Sequence, residues 1–243
     1  MGLLYRESKY RITTGECDFK DYIRPATIFD YFQNLARLGA TDAKVGLEDM
    51  LKKGYLWVVL YQEIEVVKRI PKYDEEVIIK SWPKPKRRIE YNREFELCDL
   101  DNNLLIKGIS NWVVIDTTHR MISKAEDVIF DGEFYTRTNY NEPAKRKLGL
   151  VLDNPIKEYK YQVKLSDIDV NGHMNNAKYL DIIFNMNDFN DYKCFKKVEI
   201  AYLHEARIND EIIVKEFIKD NYKCFISYVN DNICFEARVL EEE

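Results

Sequence analysis

No two cysteines in this sequence are spaced C-x-x-C, and the five present (Cys17, Cys98, Cys194, Cys224 and Cys234) are odd in number and scattered over 243 residues. That excludes a zinc ribbon and gives no disulfide framework, so they read as reduced, mostly structural thiols. Glycine-rich phosphate loops and metal-ligand spacings are missing too, so neither a cofactor nor a metal is expected. No uncharged apolar run approaches the roughly 18 residues of a membrane span. The N-terminal stretch MGLLYRESKY has no apolar signal core and is not an Arg- and Ser-rich transit peptide, which makes the cytoplasm the default location. Positive charge is not in excess: the net charge of −5 argues against a general nucleic-acid binder. With 46% hydrophobic and 33% charged residues, the chain has the composition of an ordinary globular protein.

What is present is a repetition. Without a gap, DFKDYIRPATIFDYFQN (Asp18 to Asn34) can be set against DVNGHMNNAKYLDIIFN (Asp169 to Asn185), so that Asp18 meets Asp169, Ala26 meets Ala177, Asp30 meets Asp181 and Asn34 meets Asn185. Farther on, DEEVIIK (Asp74 to Lys80) resembles NDEIIVK (Asn209 to Lys215). The shared order within each half carries more weight than any one identity.

Each half starts with a short extended piece and a helix. Pro25 suits a first helical turn, and Ile28, Phe32 and Leu35 follow at helical spacing. In the second half Ala177, Leu180, Ile183 and Phe184 form a similar stripe, with Asn175 or Asn176 where an N-cap belongs. Gly46 and Gly54 bracket a short second helix in the first half alone. Strand-like runs rich in β-branched and aromatic residues come next: 55–67, 76–82, 91–97 and 104–115, then 197–203, 211–218, 223–229 and 233–240. A stretch from 131 to 157 mixes prolines, asparagines and basic residues and reads as a covering linker. The pattern predicts an α+β protein with domains at 1–130 and 158–243, each an antiparallel sheet packed on its own helix.

Chemistry concentrates in DIDVNGHMNN (Asp167 to Asn176). If this piece is extended, Asp169, Asn171 and His173 share one side, with Val170 and Met174 on the other. It runs into a helix start, where an imidazole, an amide and backbone N–H groups suit a developing oxyanion. Against this, Asx residues before helices commonly serve as caps, and a single histidine is more often structural.

The stretch DIDVNGHMNNAKYLDII resembles the signature of the acyl-ACP (acyl carrier protein) thioesterases, the plant-type family with bacterial relatives. The resemblance implies two tandem hotdog domains, each an antiparallel sheet wrapped on a central helix, and hydrolysis of an acyl thioester to free fatty acid and carrier thiol. It maps Asp169, Asn171 and His173 onto the family's catalytic segment. AYLHEAR (Ala201 to Arg207) resembles the family's Tyr-x-x-Glu-Cys stretch, which puts Glu205 on a catalytic acid and Ala206 where many plant members have cysteine. With no thiol there, water attack assisted by Glu205 and His173 is the simpler route. By the ungapped matches, Lys20 stands opposite Asn171, Tyr22 opposite His173 and Ile70 opposite Glu205. One active site per chain is expected, with the first half, a degenerate copy, shaping the acyl pocket.

Lys84, Lys86, Arg87 and Arg88, within PKPKRR, form the densest positive patch and a docking point for an acidic carrier protein; a solvated loop accounts for them equally well. The same two readings apply to Lys145, Arg146 and Lys147. His204 is expected outside the site by strand alternation, His119 on the surface, and the three tryptophans in packing roles. The family resemblance makes a homodimer reasonable. A hotdog hydrolase of acyl-CoA and a non-catalytic acyl- or carrier-binding module are the competing functions.

Overall fold

The computed structural model describes residues 2–187 and 194–242, which divide into two compact units at 144/145. In the first unit, β1 (Leu3–Leu4) and β2 (Arg6–Arg11) precede the long α1 (Pro25–Asp42) and the short α2 (Leu47–Lys52). The strands β3 (Tyr55–Val66), β4 (Glu76–Pro83), β5 (Glu90–Cys98) and β6 (Leu104–Asp116) follow, then the two-residue β7 (Ile122–Ser123) and β8 (Glu133–Phe134). The sheet runs β2-β4-β5-β6-β3 and is antiparallel throughout, with β7 beside β6 and a separate parallel pairing of β1 with β8.

The second unit holds β9 (Lys157–Gln162), α3 (Lys178–Phe184), β10 (Phe195–Tyr202), β11 (Glu211–Lys219), β12 (Tyr222–Val229) and β13 (Asn232–Glu241). Its order, β9-β11-β12-β13-β10, repeats that of the first unit strand for strand. Two of its hairpins close on Asp220-Asn221 and Asn230-Asp231, all four at positive φ (51°, 66°, 47° and 65°). Two consecutive left-handed residues match the right-handed twist of the flanking strands, and Asn and Asp tolerate that conformation better than β-branched residues.

The apolar stripe of α1 is the core of the first unit: Ile28 and Leu35 are fully buried and Phe32 nearly so. Each such side chain contributes about 1.5–3 kcal/mol over its exposed state. Phe32 stacks on Phe95 of β5 with ring centroids 4.6 Å apart. It lies over Gly108 of β6, where a Cβ would come within 2.4 Å of the ring. Glycine is therefore what lets helix and sheet approach. In the second unit Tyr179 of α3 meets Phe235 of β13 edge-on at 5.3 Å.

The stretch expected as a covering linker is held by buried carboxylates. In the first unit, Thr138 Oγ1 and the Asn139 N–H donate to the buried Glu94, both at 2.7 Å. In the second, the amides of Leu148, Gly149 and Leu150 all donate to the buried Glu236. Such carboxylates tolerate burial because several donors replace their water.

Helix placement departs from the sequence reading in one respect. The second-half helix starts at Lys178, so neither Asn175 nor Asn176 is its cap residue; Asn175 instead accepts the Ala177 N–H on Oδ1 at 2.8 Å, one turn earlier. No helix among the described residues is long and apolar enough to cross a membrane.

Candidate active site

Asp169 to His173 is a tight turn and not the extended segment expected, so the alternating-face argument does not hold here. The Asp169 carboxylate accepts the Asn171 N–H at 2.8 Å and its side-chain amide at 3.2 Å. The Gly172 N–H closes on the Asp169 carbonyl at 3.0 Å, and the Asp169 N–H reaches the His173 carbonyl at 2.9 Å. A short acid that can bond the backbone two residues ahead competes with strand geometry, and Gly172, at φ 77°, supplies the left-handed step. Val170 is pushed out to 97% exposure, while Met174 turns inward.

The same turn occurs in the first unit. The Asp18 N–H donates to the Tyr22 carbonyl at 2.8 Å, the Lys20 N–H to Asp18 Oδ1 at 2.8 Å, and the Asp21 N–H to the Asp18 carbonyl at 3.2 Å. Asp21, at φ 67°, stands where the second copy has Gly172. Each turn is preceded by a single turn of 3-10 helix, Thr14–Glu16 or Leu165–Asp167. An acid closes each of these back on the chain: Glu16 accepts the Thr13 N–H and Asp167 the Lys164 N–H.

Just after the turn, the Met174 N–H bonds the Ala206 carbonyl at 3.0 Å, which ties the histidine loop to the 203–207 loop that follows β10. That tie brings His173 Nε2 to 3.1 Å from Glu205 Oε2. Both remain open to solvent, with side-chain exposures of 25% and 41%. Two residues far apart in the chain thus form a base-and-carboxylate pair that water can reach. Asp169 and Asn171 belong to the same loop; Asp169 acts on the turn, holding the Asn171 amide. At the start of α3, the Ala177 N–H is held by Asn175 Oδ1 and the Lys178 N–H by the Asn175 carbonyl, so these two amides are already committed. Among the described residues, no group of three His, Cys, Asp or Glu side chains could hold a metal ion.

Sequence reasoning missed Tyr179 and Cys234. The Ala206 N–H donates to the Tyr179 hydroxyl at 3.1 Å, and the Cys234 thiol donates to the His204 carbonyl at 3.1 Å. One signal was available: Tyr179 is a polar side chain where the first copy has Ile28. His204 is exposed, but strand alternation is not the reason, since β10 ends at Tyr202. His119 is exposed and pairs with Asp116, and each tryptophan N–H finds a partner within the first unit: Val45, Arg137 and Ser110. The basic patch is less free than its sequence suggests. Lys84 Nζ donates to the Arg137 carbonyl at 2.9 Å, and Lys86 Nζ donates to the carbonyls of Lys124 and Ala125, which leaves Arg87 and Arg88 as the exposed pair. Lys145 pairs with Glu199. A cavity of about 330 Å³ lies in the first unit, lined by Leu3, Leu4 and Tyr5 beside Arg6, Asp42 and Arg93.

Residues 2–132 match the family model of the acyl-ACP thioesterase N-terminal domain, and residues 152–234 that of the C-terminal domain. The chain belongs to the acyl-ACP thioesterase family. Among curated relatives it is 29% identical over 139 residues to the chloroplastic palmitoyl-acyl carrier protein thioesterase of Gossypium hirsutum; the match spans 54% of this chain but 33% of that protein. Its structure is similar to an acyl-ACP thioesterase of Bacteroides thetaiotaomicron, with a TM-score of 0.88 at 20% identity over 98% of both chains. It also resembles the 12:0-ACP thioesterase of Umbellularia californica, with a TM-score of 0.86 at 19% identity over 98% of this chain and 97% of that one. The expected α+β fold, an antiparallel hotdog sheet and its helix built twice, is therefore the one observed.

Proposed function

We propose that this chain hydrolyses the thioester of a fatty acyl group on acyl carrier protein, with its chemistry on Asp169, Asn171, His173 and Glu205. The observation that carries the reading is the 3.1 Å contact of His173 with Glu205, made by two loops about thirty residues apart in sequence and both open to solvent. A water oxygen adds to the carbonyl carbon while Glu205, assisted by His173, accepts its proton. The tetrahedral adduct then collapses, the carbon–sulfur bond breaks, and the proton passes to the departing sulfur. Fatty acid and carrier thiol result. Asn171 positions water or substrate, and Asp169 positions Asn171 through the hydrogen bond described above. Ala206 has no thiol to offer, which favours water over a Cys–His route.

For the carrier we assign Arg87 and Arg88, which are exposed where Lys84 and Lys86 are folded back onto the chain. The first half, residues 1–130, takes the acyl chain, since its copy of the turn carries no base; 131–157 joins it to the catalytic half, 158–243. Five free thiols suit a reducing compartment such as the cytoplasm. A homodimer is part of the same proposal.

The test is turnover of one acyl group presented on acyl carrier protein and on coenzyme A. Release of fatty acid from the carrier protein, lost in Glu205→Ala while the variant stays folded, is the expected result. Faster hydrolysis of the coenzyme A ester would make the chain an acyl-CoA hydrolase, and binding without turnover would make it a binding module.

A further inference from the structure

The backbone on both sides of Glu205 is held by buried side chains that take no part in the chemistry proposed above. The Ala206 N–H, which belongs to the peptide following Glu205, donates to the Tyr179 hydroxyl at 3.1 Å. The His204 carbonyl, which belongs to the peptide preceding it, accepts from the Cys234 thiol at 3.1 Å. Tyr179 and Cys234 lie close enough to interact, so the two ties meet in one buried circuit. Tyr179, Ala206 and Cys234 are 3%, 0% and 1% exposed, so water replaces none of these bonds. Burial raises the Tyr179 hydroxyl above its ordinary range and pushes the Cys234 thiol up to about 12, so both keep their protons at neutral pH. Peptide planes are rigid, so holding both planes fixes the two backbone dihedrals of Glu205 and with them the direction of its side chain.

The first unit is an internal control. There the Ile23 N–H bonds the Pro71 carbonyl at 3.0 Å, just as the Met174 N–H bonds that of Ala206. The Val67 and Lys68 amides share the Leu105 carbonyl, just as those of Leu203 and His204 share that of Cys234. The two side chains and the amide donor of the circuit are all replaced: Ile28 stands for Tyr179, Leu105 for Cys234, and Pro71, which has no N–H, for Ala206. Between these shared ties the first unit has Arg69 and Ile70 where the second has Glu205 alone, and both ties form there without the circuit. Its polar atoms occur in the copy that has Glu205 and are missing from the copy that has Ile70.

We propose that Tyr179 and Cys234 are positioning residues whose hydrogen bonds to the two peptides flanking Glu205 aim its carboxylate at His173. This rests on the hydrolase reading of the site.

Tyr179→Phe keeps the ring and removes the oxygen. We expect kcat to fall about 10- to 100-fold with KM within about twofold, as for an interaction that serves only the transition state. Cys234→Ala should act in the same direction, and Cys234→Ser, which restores a donor and an acceptor, should recover most of the loss. The imidazole 15N resonances of His173 should move in Tyr179→Phe as they move in Glu205→Gln. A folded Tyr179→Phe protein with wild-type kcat and unmoved His173 resonances overturns the proposal, as does a Cys234→Ser no better than Cys234→Ala. Should the wild type hydrolyse no acyl thioester, the reading of the site falls, and the resonance measurement still decides for or against the positioning role.

Discussion

The turn around Asp18 and the turn around Asp169 share a hydrogen-bond scheme to within a few tenths of an ångström, and they differ in what they display. Two backbone–backbone bonds, an acid that caps a backbone N–H and a left-handed residue recur in both. Lys20, Tyr22 and Ile70 then stand where the other copy has Asn171, His173 and Glu205. The scaffold of the site and its chemistry are thus separable. Asp169 belongs to the scaffold, since its counterpart Asp18 does the same work where there is no base. His173 and Glu205 have no such counterpart, and the pair they form is the difference between the halves.

The two halves differ most at Glu205. Glu205→Ala should lower kcat for acyl thioester hydrolysis by about 10²–10⁴-fold, the range of a lost general base. Its thermal midpoint should stay within a few degrees, because the side chain is 41% exposed. Asp18→Ala and Asp169→Ala sharpen the distinction. Each removes a side-chain cap from the same turn and should lower stability by about 1 kcal/mol in denaturant titrations. The Asp169 variant alone should also lose turnover, by about tenfold or more; equal activity in the two would mean that Asp169 does nothing for the site. In the first unit, Gly108→Ala drives a methyl group into the Phe32 ring and should destabilise by about 1–3 kcal/mol. Arg87→Ala with Arg88→Ala should weaken use of a carrier-bound substrate several-fold at low salt and leave a small thioester unaffected. Equal loss on both substrates would remove these arginines from docking.

The smallest effect is expected at Glu16. Burial raises its carboxyl, but hydrogen bonds from Thr13 and Tyr31 and the charge of Arg24 outweigh this and hold it below the ordinary range. A depressed folded pKa means that its contribution is complete above the unfolded carboxylate range and disappears as pH falls through the folded value. Acid titration of stability in Glu16→Gln against the wild type measures it.

Much of the fold was legible because the signals were local. All eight strand runs read from β-branched and aromatic residues correspond to strands, and Gly46 and Gly54 do bracket α2. The repeat was legible because the two copies keep the same offsets between turn, helix and strands. The course of 169–173 was not, because a five-residue polar stretch has no periodicity to read, and an Asx-type turn and an extended piece draw on the same residues. The partners of the basic patch were not legible for a related reason: charge can be counted in a sequence, but the carbonyls that take up Lys84 and Lys86 lie tens of residues away.

By itself the sequence determined the duplicated order of elements, the helix stripes and the identity of the acid, amide and imidazole at 169–173, since these depend on neighbours within one or two turns of chain. That the imidazole meets Glu205, and that Tyr179 and Cys234 grip the peptides beside it, was decided only by tertiary structure. Those contacts span about thirty residues and exist because the strands that follow carry one loop back to the other.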